Sequence, residues 1–274
     1  MTAGAGLLTL NDAVSKYLTE HYPIGQIIGL RQLSAFIFIL PYAWLTTGLG
    51  ALRPINRGGQ ALRGMLFIMG VALILVSLRL LPLALVTVIL FSSPLFVAVL
   101  SAPLLGERVR GPQWIAIAAG FAGVLLIVRP AGGGFEWVLL LPVCAALTNG
   151  LRDTYTRRLS RTESSLSMLF WSGVLVMIAG LCTIPYGWNP VGIRDAGWFL
   201  LAGFFNAAAH FMVIEAFRMG KAALVAPFRY TGLLWATLWG YLVWREVPGP
   251  WTFAGAAVVV CAGVYMLRQG VRKP

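Results

Sequence analysis

The sequence predicts an all-α, polytopic membrane protein with ten transmembrane helices arranged as two inverted five-helix repeats. Its 274 residues are 59% hydrophobic and only 11% charged, whereas soluble domains carry about 25% charged residues. Apolar runs that can cross a hydrocarbon core of about 30 Å recur along the chain. Charged motifs also recur at a spacing of 139–141 residues, which indicates duplication of one half.

Ten apolar segments account for nearly the whole chain. Each has a length compatible with a spanning helix, and the gaps between them are short and rich in Gly, Pro and Arg. No polar stretch is long enough for a soluble domain, and no Lys or Arg precedes the first segment, so we expect no cleavable signal peptide. The segments are residues 3–19, 23–46, 61–78, 82–105, 112–129, 136–156, 166–186, 196–217, 222–244 and 250–268.

The repeat is indicated by charged residues that recur at nearly the same offset in the two halves of the chain. Arg79 and Arg218 each begin the pattern Arg-x4-Ala-Leu-Val, 139 residues apart, and Glu107 and Glu246 share that offset. The motif Asp-x3-Lys/Arg-x-Leu begins at residues 12 and 153, an offset of 141. Since five helices are an odd number, the second copy must enter the membrane inverted. We expect repeats at residues 1–133 and 134–274.

The Lys and Arg residues predict the topology. With the N-terminus inside, thirteen lie in inner loops and the C-terminal tail and five at outer ends, while three are intramembrane. This bias favours cytoplasmic termini in a multi-pass protein of the cell inner membrane. The net charge of +12 therefore reflects topology and the lipid bilayer, and we expect no nucleic-acid partner.

The strongest candidate for a binding site is Arg229, in the ninth segment. It lies about 10 Å inside that segment at ~1.5 Å per residue, where a lipid-exposed charge costs at least ~2.5–3.5 kcal/mol. Pro227 weakens the helix beside it. Arg31 is similarly deep in the second segment. Each cation either contacts a polar or anionic substrate group or, for Arg31, pairs with an intramembrane acid such as Asp12.

Two helices repeat a polar pattern. Asp12 and Lys16 are spaced i, i+4 in the first segment, and Asp153 and Arg157 repeat the spacing in the sixth. They are either a coupling or proton-handling group or ion pairs that join helices or gate the path. Because the pattern is duplicated, helix pairing or gating is favoured.

Other candidates carry weaker signals. His210, in the eighth segment, is either a proton carrier or substrate ligand, or a hydrogen-bonded core residue. Ser92, Ser93 and Pro94 break the fourth segment near mid-membrane. Trp171 either stacks on a ligand or faces lipid. Small-residue faces on the fifth and tenth segments predict close helix packing, including a possible homodimer contact.

Composition argues against several classes. The three cysteines lie far apart within apolar segments, with no disulfide or metal spacing. A membrane-embedded lipid-processing enzyme would need clustered Asp, His or Cys, and a channel would need repeated filter residues. Neither pattern is visible. We therefore expect a non-enzyme without metal or cofactor, and keep the lipid enzyme as a minor alternative.

These motifs together resemble the drug/metabolite transporter superfamily, EamA-type, over essentially the whole chain. The likeness is sharpest to a branch of S-adenosylmethionine and riboflavin carriers and opine-metallophore exporters. Arg31 matches a branch position, while His210 and Glu215 depart from the pattern. The other matching strings are Asn11-Asp12 with Lys16-Tyr17-Leu18, Leu62-Arg63-Gly64, Gly120-Phe121-x-Gly123, Ser167-Met168-Leu169-Phe170 and Ala226-Pro227-Phe228-Arg229-Tyr230.

The resemblance implies a secondary transporter that works by alternating access on a nitrogen-rich metabolite, with a proton or counter-substrate as coupling partner. An exporter of amino acids or metallophores is the alternative. In this reading Arg229 and Arg31 bind polar groups, and Ser92 and Ser93 donate hydrogen bonds. Phe228, Tyr230 and Trp171 stack on rings or cations, while Pro94 and Pro227 are flexible points.

Overall fold

The structure is a computed structural model that describes residues 1–106, 111–128, 137–220, 225, 228, 231–247 and 249–271. Every regular element in these ranges is helical, as the sequence predicts. The helices are α1 (Thr2–Thr19), α2 (Ile24–Thr46), α3 (Arg57–Leu80), α4 (Leu83–Leu90), α5 (Ser93–Leu105), α6 (Gly111–Val128), α7 (Leu140–Leu159), α8 (Ser165–Leu181), α9 (Ile193–Met219), α10 (Gly232–Trp244) and α11 (Pro250–Val271), with 3₁₀ turns at Leu49–Leu52, Trp137–Leu139 and Ile184–Tyr186.

The outer surface of the bundle suits a lipid environment. Five described stretches are long and apolar enough to cross a membrane: Ile24–Thr46, Arg57–Leu80, Leu85–Leu105, Ser165–Tyr186 and Ile193–Met219. Large apolar side chains stand outward, among them Leu45 at 77% exposed and Ile115 at 73%. Exposed apolar surface on this scale favours a lipid-facing surface over a water-facing one. The prediction of a helical, polytopic membrane protein is confirmed.

The fourth predicted segment is divided, as the Ser-Ser-Pro sequence predicted. Helix α4 ends at Leu90 and α5 begins at Ser93. Pro94 has no backbone N–H to continue the helical ladder, and the Ser92 N–H instead bonds Ile89 O at 3.0 Å, a tighter turn. The break directs two short helices past the centre of the bundle.

The two halves pack with a reciprocal pattern. Helix α1 packs on α9, and its counterpart α7 packs on α3. The second helices of the halves, α2 and α8, pack on each other, and so do the fifth helices, α6 and α11. This exchange of partners is the pattern that a pseudo-two-fold between inverted repeats produces.

The small-residue faces of α6 and α11 meet within one chain. A Cβ on Gly123 would lie 2.9 Å from the carbonyl oxygen of Gly255, so the two backbones approach as closely as small residues allow. These faces are therefore used inside the bundle. A homodimer stays a prediction and would need another surface.

Both ends of the α2–α8 pair are fastened by side chains. At one end the Gln26 amide exchanges hydrogen bonds with the backbone of Asn189, at 2.7 and 2.9 Å. At the other, Glu163 accepts from the backbone N–H groups of Ile55 and Asn56, at 2.7 and 2.5 Å. The two bonds to the Glu163 carboxylate are charge-assisted, and bonds of that kind are strong. The α2–α8 pair is therefore held at both ends.

We expect crowding at the centre of the α2–α8 pair to unfold the protein. A Cβ on Gly180 would overlap the backbone of Gly29, so Gly180→Val must push α8 off α2. Overpacking costs about 1–3 kcal/mol and more where backbone must move. Gly197→Val in α9 is the matched control, because nothing lies within 4 Å of its Cβ position. Thermal unfolding in detergent should show a lower Tm for Gly180→Val alone; equal Tm values would contradict the packing.

One charge assigned to an inner loop is instead buried in the bundle. The thirteen cations that the sequence assigns to inner loops and the C-terminal tail include Arg63, but Arg63 lies within α3 and is 3% exposed. Its guanidinium donates to Thr156 Oγ1 at 2.9 Å, to Met168 O at 2.8 Å and to Ser172 Oγ. Arg63 therefore ties α3 to α7 and α8, and twelve inner charges remain against five.

Candidate functional site

A cavity lies at the centre of the bundle, between the two halves. From the first half α1, α2, α3, α4 and α5 line it; from the second half α7, α9 and the start of α10 do so. Its volume is about 80 Å³, below the ~300–1,000 Å³ of typical small-molecule sites. A larger ligand would require the halves to separate.

Arg31 forms the charged wall of the cavity. It is 3% exposed, and its Nη1 donates to Ser15 Oγ on α1 at 3.0 Å. Asp12 also lines the cavity, and its charge acts on the Arg31 guanidinium. The structure thus brings Arg31 and Asp12 to one site.

A second group of lining residues is aromatic and basic. The Phe67 ring lies edge-to-face with His210, with ring centroids 4.7 Å apart. The Arg152 guanidinium lies 5.1 Å from the same ring, a cation–π geometry. Arg152 in turn pairs with Asp153 at 3.0 Å. This group offers a flat surface beside a charge-neutral pair.

The helix break supplies a third group of lining residues. Thr87, Phe91 and Pro94 line the cavity. The two serines do not: Ser92 Oγ donates to Ile89 O at 2.8 Å, and Ser93 is buried without a hydrogen-bond partner. Of the predicted Ser-Ser-Pro group, Pro94 alone lines the cavity.

An ion pair joins three helices near the C-terminal end of α1. Lys16 Nζ lies 2.5 Å from Glu246 Oε1 and 4.9 Å from the centroid of the Trp244 ring. Glu246 Oε2 also accepts from the backbone N–H of Leu83, at 2.9 Å. Lys16 lies one turn beyond Asp12, about 6 Å along the helix axis. The pair therefore joins α1, α4 and the end of α10 next to the cavity.

The remaining predicted residues lie elsewhere. Trp171 donates to Leu52 O at 2.8 Å and lines a separate groove with Arg57 and Gln60. Arg157 donates to the carbonyl oxygens of Phe217 and Arg218, at 3.2 and 3.1 Å, which fits a helix-end role. Phe228 is half exposed. Pro227, Arg229 and Tyr230 lie outside the described residues, so the predictions for them stay predictions.

Three polar cavity residues, the aromatic Phe67 and one ion-pair partner were not predicted from the sequence. Thr9, Thr87 and Asn206 line the cavity, and Glu246 was not recognised as the partner of Lys16. An uncharged amide such as Asn206 inside an apolar segment is a usable signal, because polar groups within membrane helices face the bundle interior. Within the described ranges, no group of three or more His, Cys, Asp or Glu side chains could hold a metal.

The chain is similar to known transporters over nearly all its length. A sequence profile of the EamA-like transporter family matches residues 3–129 and 136–268. A riboflavin transporter of Rhizobium johnstonii is 32% identical over 275 residues, covering 99% of this chain and 90% of that protein. An S-adenosylmethionine uptake transporter of Rickettsia conorii is 26% identical over 257 residues, covering 94% and 87%.

Two further matches complete the comparison. The pseudopaline exporter CntI of Pseudomonas aeruginosa is 30% identical over 193 residues, 68% of this chain and 66% of that protein. A solved crystal structure superimposes with a TM-score of 0.70 at 18% identity and covers 99% of both chains. At that identity the superposition shows the fold alone.

Proposed function

The chain belongs to the EamA-like transporter family, and on this premise we propose that it is a secondary transporter of the cytoplasmic membrane for a small nitrogen-rich metabolite. The central cavity carries the proposal, because both halves line it and it holds buried polar and charged groups. Residues 1–133 and 134–274 would rock about it and expose it to each side in turn. S-adenosylmethionine and riboflavin are the first cargoes to test.

The ion pair is the proposed gate. Lys16 and Glu246 are paired near the C-terminal end of α1, and with cytoplasmic termini that end of the bundle would face outward. The equivalent positions in the other halves are Arg157 and Glu107, at offsets of 141 and 139 residues. In an inverted repeat this second pair would close the inner end. Arg157 instead bonds the end of α9 in this structure.

The test is uptake of labelled S-adenosylmethionine or riboflavin into proteoliposomes. We expect uptake of one of them to saturate with concentration and to accelerate when the same unlabelled compound is inside, the signature of a carrier. Arg229→Ala should abolish it, as the sequence predicts. Uptake of either compound that rises linearly without saturation, with correctly folded protein, would contradict the carrier.

Export of amino acids or metallophores is the second candidate, and the similarity to CntI favours it. The same preparation tests it when loaded vesicles are diluted into cargo-free buffer. Faster efflux than uptake at equal gradients, with a proton or counter-substrate supplied, would assign export. Equal rates of uptake and efflux would mean that the gradients of cargo and coupling partner in the cell determine the direction of transport.

A further inference from the structure

Three polar atoms without partners belong to residues that line the central cavity. Seven buried side-chain atoms in the described part of the chain lack a hydrogen bond. Three of them, Arg31 Nε, Asn11 Oδ1 and Asn206 Oδ1, belong to residues that line this cavity. All three residues are at most 3% exposed. Since buried polar atoms are nearly always paired in folded proteins, these atoms are available to a ligand.

The chemistry of each atom is fixed by its neighbours. The Asp12 carboxylate can only accept, so the Asn11 amide turns its Nδ2 to Asp12, at 3.3 Å, and leaves its carbonyl oxygen unpartnered. Asn206 Nδ2 donates to Gln32 Oε1 at 3.2 Å, which leaves its oxygen unpartnered as well. Arg31 offers the Nε–H. The unpartnered atoms on the described lining residues are thus one cationic donor and two neutral acceptors.

Among the described residues that line the cavity, together with the ion-pair partner of Arg152, positive and negative charges are balanced. Arg31 and Asp12 are of opposite sign, and Arg152 is paired with Asp153. A ligand group of one sign would add an uncompensated buried charge, which is costly. A group that carries both signs would not. Its anionic part would accept from Arg31, and its cationic part would donate to the amide oxygens of Asn11 and Asn206.

We infer that the cavity recognises an α-amino-acid head group, with the carboxylate on Arg31 Nε and the ammonium on Asn11 Oδ1 and Asn206 Oδ1. A carboxylate only accepts and an ammonium only donates, so the head matches all three atoms. The inference rests on the proposed transport function and narrows its cargo. S-adenosylmethionine carries such a head, whereas riboflavin does not.

Binding and transport are measured separately, so that the two proposals can fail independently. Binding is read as the rise in Tm of the purified protein with ligand, because a ligand that binds the folded state stabilises it. The probes are S-adenosylmethionine, its decarboxylated form and its deamino form, with riboflavin for comparison. We expect the decarboxylated and deamino forms to bind the wild-type protein about 30-fold more weakly.

Two variants assign the contacts to atoms. Arg31→Gln should bind S-adenosylmethionine and its decarboxylated form with affinities within about threefold of each other. The variant lacks the cation that would bind the carboxylate, so the loss of the carboxylate should have little further effect. Asn206→Leu should reduce the preference for S-adenosylmethionine over its deamino form without abolishing it, because Asn11 Oδ1 remains as an acceptor for the ammonium. A merely structural role would weaken all probes alike and leave the ratios unchanged, and that result would overturn the inference.

Each combination of outcomes is decisive. Saturable riboflavin transport without discrimination by the head group would overturn the inference and leave the transporter standing. Binding that depends on the head, with no transport of any probe, would support the inference and contradict the proposed function. If the folded protein neither binds nor moves any probe, both fail.

Discussion

Lys16→Glu will lower the transport rate at least about tenfold, because a tenfold change needs only about 1.4 kcal/mol. The Lys16 and Glu246 side chains are 9% and 21% exposed, and breaking a buried pair costs about 3–5 kcal/mol. Even when that cost is halved for solvent access at Glu246, it exceeds the requirement. Two carboxylates at this point would disfavour the closed end that every transport cycle must pass through.

The double variant Lys16→Glu with Glu246→Lys should recover part of the rate. The ion pair is restored, but a lysine at 246 cannot accept from the Leu83 N–H, which now bonds Glu246. We expect the double variant to be at least about threefold faster than either single one, as coupled sites behave. The rates are measured in proteoliposomes with equal amounts of monodisperse protein.

A second ion pair provides the matched control. Arg218 and Glu215 are 3.5 Å apart, and the Arg218 side chain is 51% exposed. Surface pairs contribute about 0–1 kcal/mol, so Arg218→Glu should leave the rate within about twofold of wild type. A transport rate for Lys16→Glu as high as that of Arg218→Glu would contradict the proposal that the Lys16–Glu246 pair is a gate.

Arg31→Gln will lower the transport efficiency about 10- to 150-fold while leaving the fold intact. A hydrogen bond to a charged group contributes about 1.5–3 kcal/mol, which is that range of fold-change. Arg31→Gln removes an unpartnered buried Nε, but it also removes the bond to Ser15 Oγ and the positive charge that interacts with Asp12. We therefore expect the Tm of Arg31→Gln to fall less than that of Arg63→Gln, with the protein still folded. Transport kinetics and thermal unfolding are measured on the same preparation.

Arg63→Gln is the contrasting variant. Arg63 is as buried as Arg31, but its guanidinium bonds Thr156, Met168 and Ser172. Its loss leaves those groups unpaired, so its Tm should fall clearly. Arg53 is exposed, so Arg53→Gln should change neither the transport efficiency nor the Tm. A fall in Tm for Arg31→Gln as large as for Arg63→Gln would make Arg31 a structural residue.

The fold follows from the sequence where one physical rule dominates. Apolar segments must satisfy their backbone groups within the bilayer, so helices are the only option. The break before Pro94 is equally local, since it depends on one missing N–H. Both were therefore predictable from the residues alone.

The partners of the charged side chains were not predictable in the same way. Sequence spacing suggested Asp12 as a neighbour of Lys16, but the partner of Lys16 is Glu246, 230 residues away. Arg63 looked like a loop charge because it follows Arg53 and Arg57, although it is buried by α7 and α8. Such pairings depend on how distant helices pack, which periodicity does not encode.

Blocking the central cavity tests the account most directly. In a chain whose exposed cysteines Cys144, Cys182 and Cys261 are replaced by alanine, Ile74→Cys places a thiol in the cavity wall. Uptake of labelled S-adenosylmethionine is measured before and after reaction with a bulky thiol reagent. The account predicts saturable uptake that the reagent abolishes in Ile74→Cys and leaves unchanged in the cysteine-free parent. Full uptake after complete labelling of Ile74→Cys would show that the cargo does not pass through this cavity.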